Sequence, residues 1–136
     1  MLLANCATLV TALFTGAAVY VTFVEQPARM KCSTEIALSQ WRPSYARATI
    51  MQATLAILGF LLAVAASLSG AGPVWLIAGL FLVAVVPFYA PSDVEETDPE
   101  MPGELTRDLF GHWANLRAVR TGLSAIALVL MIFIGR

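Results

Sequence analysis

Apolar and polar positions fall along this chain in long blocks rather than in short amphipathic periods. Residues 2–24 carry no charged side chain, and a helix of roughly 20 apolar residues is enough to cross about 30 Å of hydrocarbon. A second block, 48–68, has only Thr49, Gln52, Thr54 and Ser67 as polar members. Ser69-Gly70-Ala71-Gly72-Pro73 follows, a run of helix breakers that predicts a tight turn. The third block, 73–90, is closed by Pro87 and Pro91, prolines of the kind that kink or end a span. The last, 121–134, would make only roughly 21 Å of helix. Extending it back to Trp113 gives the length to cross, and draws Arg117 and Arg120 into the first two turns. The expected fold class is all-α: a single transmembrane domain over 1–136, an integral membrane four-helix bundle. Its spans are expected at about 2–24, 48–68, 73–90 and 113–134.

Charge adds a direction. Of the eight Lys/Arg and nine Asp/Glu residues, all except Arg136 lie within 25–47 or 93–120. With four spans, these polar connecting segments share one side of the bilayer, and both termini share the other with the 69–73 turn. Arg29, Lys31, Arg42, Arg47, Arg107, Arg117 and Arg120 all fall on the loop side, which the positive-inside rule places in the cytoplasm. The stretch 91–103 is acidic and proline-rich and reads as an extended loop, after which 104–116 resumes a helical pattern.

Composition excludes several classes. Charged residues make up 12% of the chain and the mean hydropathy is +0.78, whereas a soluble domain carries about 25% charged residues. A net charge of −1 without a basic stripe offers nothing to nucleic acid. The first block has no positively charged n-region and no clear cleavage site, so it is expected to stay as a transmembrane helix. Cys6 lies inside that block and Cys32 beyond its end. On a helix they would stand roughly 25–40 Å apart, while a disulfide needs Cα atoms within about 7 Å. Two free thiols follow.

Three groups could carry chemistry. In Glu25-Gln26-Pro27-Ala28-Arg29 an acid and a base stand at i, i+4, although Pro27 between them argues against an uninterrupted helix. The ordinary reading is an interfacial ion pair, and the functional one is a carboxylate held as general base at the mouth of the bundle. A cation so close favours the ionised carboxylate, which weakens it as a base unless burial opposes this. In Trp41-Arg42-Pro43-Ser44-Tyr45-Ala46-Arg47 the aromatic residues fit an interfacial belt and the arginines fit lipid phosphates. In the third group Trp113, Arg117 and Arg120 recur at i, i+4, i+7 and so share one helical face. An arginine at depth either snorkels to the headgroups or has a function. His112 is the single histidine, and no cluster at metal-ligand spacing accompanies it. Ala12 and Gly16 form a small-x-x-x-small pair that predicts close helix approach.

Three motifs taken together carry a resemblance: Glu25-Gln-Pro-Ala-Arg29; Trp41-Arg-Pro-Ser-Tyr45-x-Arg47-Ala-Thr-x-Met51-Gln52-Ala53; and Trp113-x-x-x-x-Ala-Val-Arg120-Thr. Over nearly its whole length the chain resembles a family of four-span membrane proteins related to the fungal anthrone oxygenases. These relatives convert an anthrone to an anthraquinone with molecular oxygen and without a cofactor. The resemblance implies Glu25 or Tyr45 as the base, and Arg29, Arg117 and Arg120 as cations holding the anion. It implies Trp41 and Trp113 as aromatic walls, with Asn115 and Gln52 beside the substrate. It calls for no cofactor and no metal. The expected partners are the lipid bilayer, a hydrophobic aromatic small molecule and further copies of the chain. Gln26 and Arg117 stand where the family's pattern has His, which removes its near-neutral proton acceptors. A shorter segment than usual follows Pro87-Phe88. The alternative reading is a non-catalytic membrane component, or a small-molecule-binding partner of a larger complex.

Overall fold

The computed structural model describes residues 2–85 and 103–135, and among these every side chain except those of 38 and 103–113. Four helices account for nearly all of them. Helix α1 is continuous over Leu2–Met30. Its buried positions Ala4, Ala7, Thr11, Phe14, Ala18 and Val21 recur every three or four residues, the spacing of one helical face. Pro27 does not interrupt it, contrary to expectation. A π turn over Val21–Glu25, closed by the Gln26 N–H on the Val21 carbonyl, widens the spiral just ahead of the proline. The extra residue also resets the face: Gln26 and Arg29 turn inward, and Glu25 moves to the edge.

Helix α2 covers Thr34–Ala66, so the segment 25–47 is not a loop: only residues 31–33 connect α1 to α2. Ser33 caps α2, its Oγ accepting from the Ile36 N–H at 3.4 Å, and Glu35 sits in the first turn. Pro43 lies inside α2 on its exposed side, where the carbonyl it leaves without a helical donor meets solvent or headgroups. Helix α3 is Pro73–Val83, and α4 runs over Gly103–Val129 into a closing π turn, Leu130–Ile134. Three helical stretches, Leu2–Met30, Thr34–Ala71 and Ala114–Ile134, are long and apolar enough to cross a membrane. At 11 residues α3 is not, and the prolines that close its block lie outside the described residues.

Gly70 and Gly72 make the turn between α2 and α3 with φ of 98° and 108°. A side chain in that left-handed region costs about 1–2 kcal/mol. Gly72→Ala is accordingly expected to lower stability by that amount, read from unfolding in mixed detergent micelles.

Helix α1 packs against α2 and α4, and α3 packs against the same two helices. Leu2–Ala4 lie beside Ala66–Ala71, and the Trp75 indole donates to the Gly135 carbonyl at 3.0 Å. The two ends of the described chain thus gather with the Gly70–Gly72 turn. The core at that end is built from small residues: eight of its thirteen buried members are alanines. Leu9, Leu13, Ile50, Ile57, Leu61, Leu80 and Phe133 are exposed instead. In water, burying a Leu or Ile is worth about 1.5–3 kcal/mol, and the pattern would be reversed. Among lipid tails that gain vanishes, and small residues let backbones come close. The packing fits a lipid surround.

Close approach occurs at Gly59 and Gly79, where an added Cβ would lie 2.5 Å from Leu82 Cδ2 and 3.2 Å from Ala63 Cβ respectively. It does not occur at the Ala12/Gly16 pair, since a Cβ on Gly16 would meet nothing within 4 Å. Cys6 and Cys32 are both free, as their separation requires.

Candidate functional site

The opposite end of the four helices is polar inside. On α1, the π turn delivers Glu25, Gln26 and Arg29 to the junction with α2. On α2, Trp41, Tyr45 and Gln52 are buried, and their spacing keeps them near one face. On α4, Arg117, Arg120 and Ser124 are buried at i, i+3, i+7. All of these except Glu25 are buried, on helices of which α1 packs against both α2 and α4.

Arg29 is the organiser. Its side chain is 2% exposed and grips three neighbours: Nη2 donates to Glu25 Oε1 at 2.7 Å, Nη1 to Gln26 Oε1, and Nε to Gln40 Oε1. Glu25, 21% exposed, accepts twice more on the same oxygen, from Ser44 Oγ and from Gln40 Nε2 at 3.3 Å. Among the described residues no donor reaches its other oxygen, Oε2. The Arg117 guanidinium lies near enough for its charge to act on this carboxylate. Trp41 and Tyr45 stack one turn apart on α2, centroids 4.7 Å apart and planes within 16°. Deeper in, Thr22 Oγ1 and Thr121 Oγ1 share a 3.0 Å hydrogen bond that ties α1 to α4, and Thr121 also donates to the Arg117 carbonyl.

Arg117 and Arg120 do not snorkel. They are 3% and 2% exposed, facing the interior rather than the headgroups. Of the residues expected at the site, Glu25 and Arg29 are paired, Arg117 lies within reach of the Glu25 charge, Trp41 and Tyr45 stack on each other, and Gln52 and Arg120 are buried. Asn115 lies exposed on α4. The Trp113 side chain lies outside the described residues. Sequence reasoning missed Gln40 and Ser44, the two α2 side chains that complete the hold on Glu25. Their signal was the i, i+4 spacing that follows once α2 starts at the Ser33 cap. No family model, curated protein or solved structure matches the chain.

Such an arrangement can orient a carboxylate, set an aromatic wall beside it and bring buried positive charge close by. Those are the requirements for holding a hydroxylated aromatic and accepting a proton from it.

Proposed function

We propose that the chain is an integral membrane four-helix bundle with charged segments cytoplasmic and termini on the opposite side. We propose further that its charged end carries out cofactor-independent oxygenation of a hydroxylated aromatic. The observation that supports this best is the carboxylate of Glu25, pinned through one oxygen by three donors, with no donor on the other among the described residues, and within reach of the charge of buried Arg117. The resemblance to the anthrone oxygenases supplies the reaction class.

In this reading Glu25 Oε2 takes a proton from the activated ring carbon. The C–H electron pair stays in the ring as a phenolate, which Arg117 and Arg120 stabilise. Molecular oxygen is the oxidant: it adds at that carbon, and loss of one water leaves the new carbonyl. Ring CH2 plus O2 gives C=O plus H2O, so atoms and electrons balance. Tyr45 and Trp41 serve as the aromatic wall. Arg29 acts as a positioning residue, since the carboxylate and two amides it grips occupy its guanidinium.

The test is oxygen uptake by purified protein with a panel of anthrones and hydroquinones. Removing one preorganised donor to a developing oxyanion costs about 10²–10³ in rate, so Arg117→Ala/Arg120→Ala is expected to lose at least that much. Full activity in that variant would sink the assignment. A second reading, a non-catalytic small-molecule-binding component, draws on the lack of imidazole at Gln26 and Arg117. It predicts aromatic binding without oxygen uptake.

A further inference from the structure

Between the C-terminal part of α1 and the N-terminal part of α2 lies an open cleft of about 280 Å³. Tyr20, Val24, Ala28, Ile36 and Ala37 supply apolar wall, while Glu25, Arg29 and Gln40 supply its polar part. Tyr20, Val24 and Ala28 recur every four residues on the exposed side of α1, and Ile36 is exposed on α2. The cleft is therefore lined from the outer surface of the helix pair and reaches the carboxylate network from the side.

Charge decides what fits there. Glu25 opposes an anionic head, and Arg29, paired to it, opposes a cationic one; together they leave a neutral mouth. What the cleft lacks, among the described residues, is a hydrogen-bond donor for the second oxygen of Glu25, because the three donors described there converge on Oε1. A carboxylate accepts hydrogen bonds and gives none. We infer that the α1–α2 cleft is a lateral binding site for a neutral, hydroxyl-headed amphiphile taken from the bilayer. Its O–H donates to Glu25 Oε2, and its apolar body lies along Val24 and Ile36. Glu25 is shared with the proposed reaction, so the inference rests on that reading for the fate of the ligand but not for its binding.

Cys32 lines the cleft and is exposed, which makes it a reporter. In nanodiscs carrying a Cys6→Ala background, the rate of Cys32 alkylation by N-ethylmaleimide is measured with four probes: 4-nonylphenol, 1-dodecanol, laurate and dodecylamine. Near saturation, at ten times Kd, the site is about nine-tenths filled, so hydroxyl probes are expected to slow alkylation about tenfold. Laurate and dodecylamine are expected to leave it unchanged. Protection by nonylphenol alone would narrow the body to an aromatic, and protection by both alcohols would assign the site to neutral hydroxyl lipids in general. Glu25→Gln is expected to abolish protection. So is Ile36→Trp, which fills the groove without touching the polar network. Equal protection by laurate or dodecylamine, or undiminished protection in both variants, would overturn the inference. Protection without oxygen uptake would overturn the oxygenase reading alone.

Discussion

Replacing Arg29 with Met is expected to destabilise the protein by about 3–5 kcal/mol, the cost of breaking a buried ion pair by removing one partner. Three side chains lose their ligand at once: the Glu25 carboxylate and the Gln26 and Gln40 amides. Gln26 suffers most, because it is 5% exposed and no other protein donor reaches its carbonyl among the described residues. Glu25, 21% exposed, regains some hydration, which favours the lower part of the range. Glu25→Gln is milder, since a glutamine Oε1 still accepts from Ser44, Gln40 and Arg29. The double variant Glu25→Gln/Arg29→Met should be less damaged than the sum of the singles by about 1–3 kcal/mol, the coupling of residues in one network. Reversible unfolding in mixed micelles measures all three. Strict additivity would mean that the pair does not hold the charged end together.

Gly59→Leu is expected to be the most damaging single change at the other end. A Cβ alone would lie 2.5 Å from Leu82 Cδ2, 3.4 Å from Thr11 Oγ1 and 3.5 Å from Val10 Cγ1. Leu82 is fully buried in the core, so it must shift among packed neighbours to make room. The whole leucine would wedge α1, α2 and α3 apart where Gly59 faces the side chains of Val10, Thr11 and Leu82. Overpacking of this kind costs about 1–3 kcal/mol, and three helices sharing the strain place Gly59→Leu at the top of that range. Gly16→Leu is the control. Its Cβ meets nothing within 4 Å, and leucine is a better helix former than glycine by up to about 1 kcal/mol. The monomer should tolerate it, with stability unchanged or slightly raised. If Gly16→Leu proved the worse of the two, the Ala12/Gly16 face would be covered by another copy of the chain.

The helices were legible where the sequence is charge-free, because an uncharged block of that length has few ways to satisfy its backbone. They were less legible where charge and proline suggested loops. The segment 25–47 contains Pro27 and Pro43, yet helix runs through both. A π turn before Pro27 and an exposed carbonyl opposite Pro43 remove the two penalties that make proline a breaker. The start of α2 was written in Ser33-Thr34-Glu35, a cap with an acid in the first turn, and the density of charge around it hid that signal.

At the site, one-helix spacing carried the reading as far as it could. Glu25 with Arg29, and Arg117 with Arg120, were visible as i, i+4 and i, i+3 pairs. Asn115 could have been set aside on the same ground: two residues from Arg117 it lies roughly 200° around the helix, away from the buried face. Spacing from the Ser33 cap could put Gln40 and Ser44 on one face of α2, but not show their grip on Glu25. That grip depends on how closely α1 and α2 approach at their joined ends, a tertiary fact that no periodicity encodes.

Cofactor-free oxygenation of a hydroxylated aromatic at the charged end is the activity we propose. The most direct test is an incubation of purified, chelator-treated protein with an anthrone under ¹⁸O₂, followed by mass spectrometry of the quinone. One ¹⁸O atom is expected in the new carbonyl, formed by wild type and lost in Arg117→Ala/Arg120→Ala. Substrate bound at the charged end but returned unchanged, or a product whose new oxygen comes from water, would contradict it.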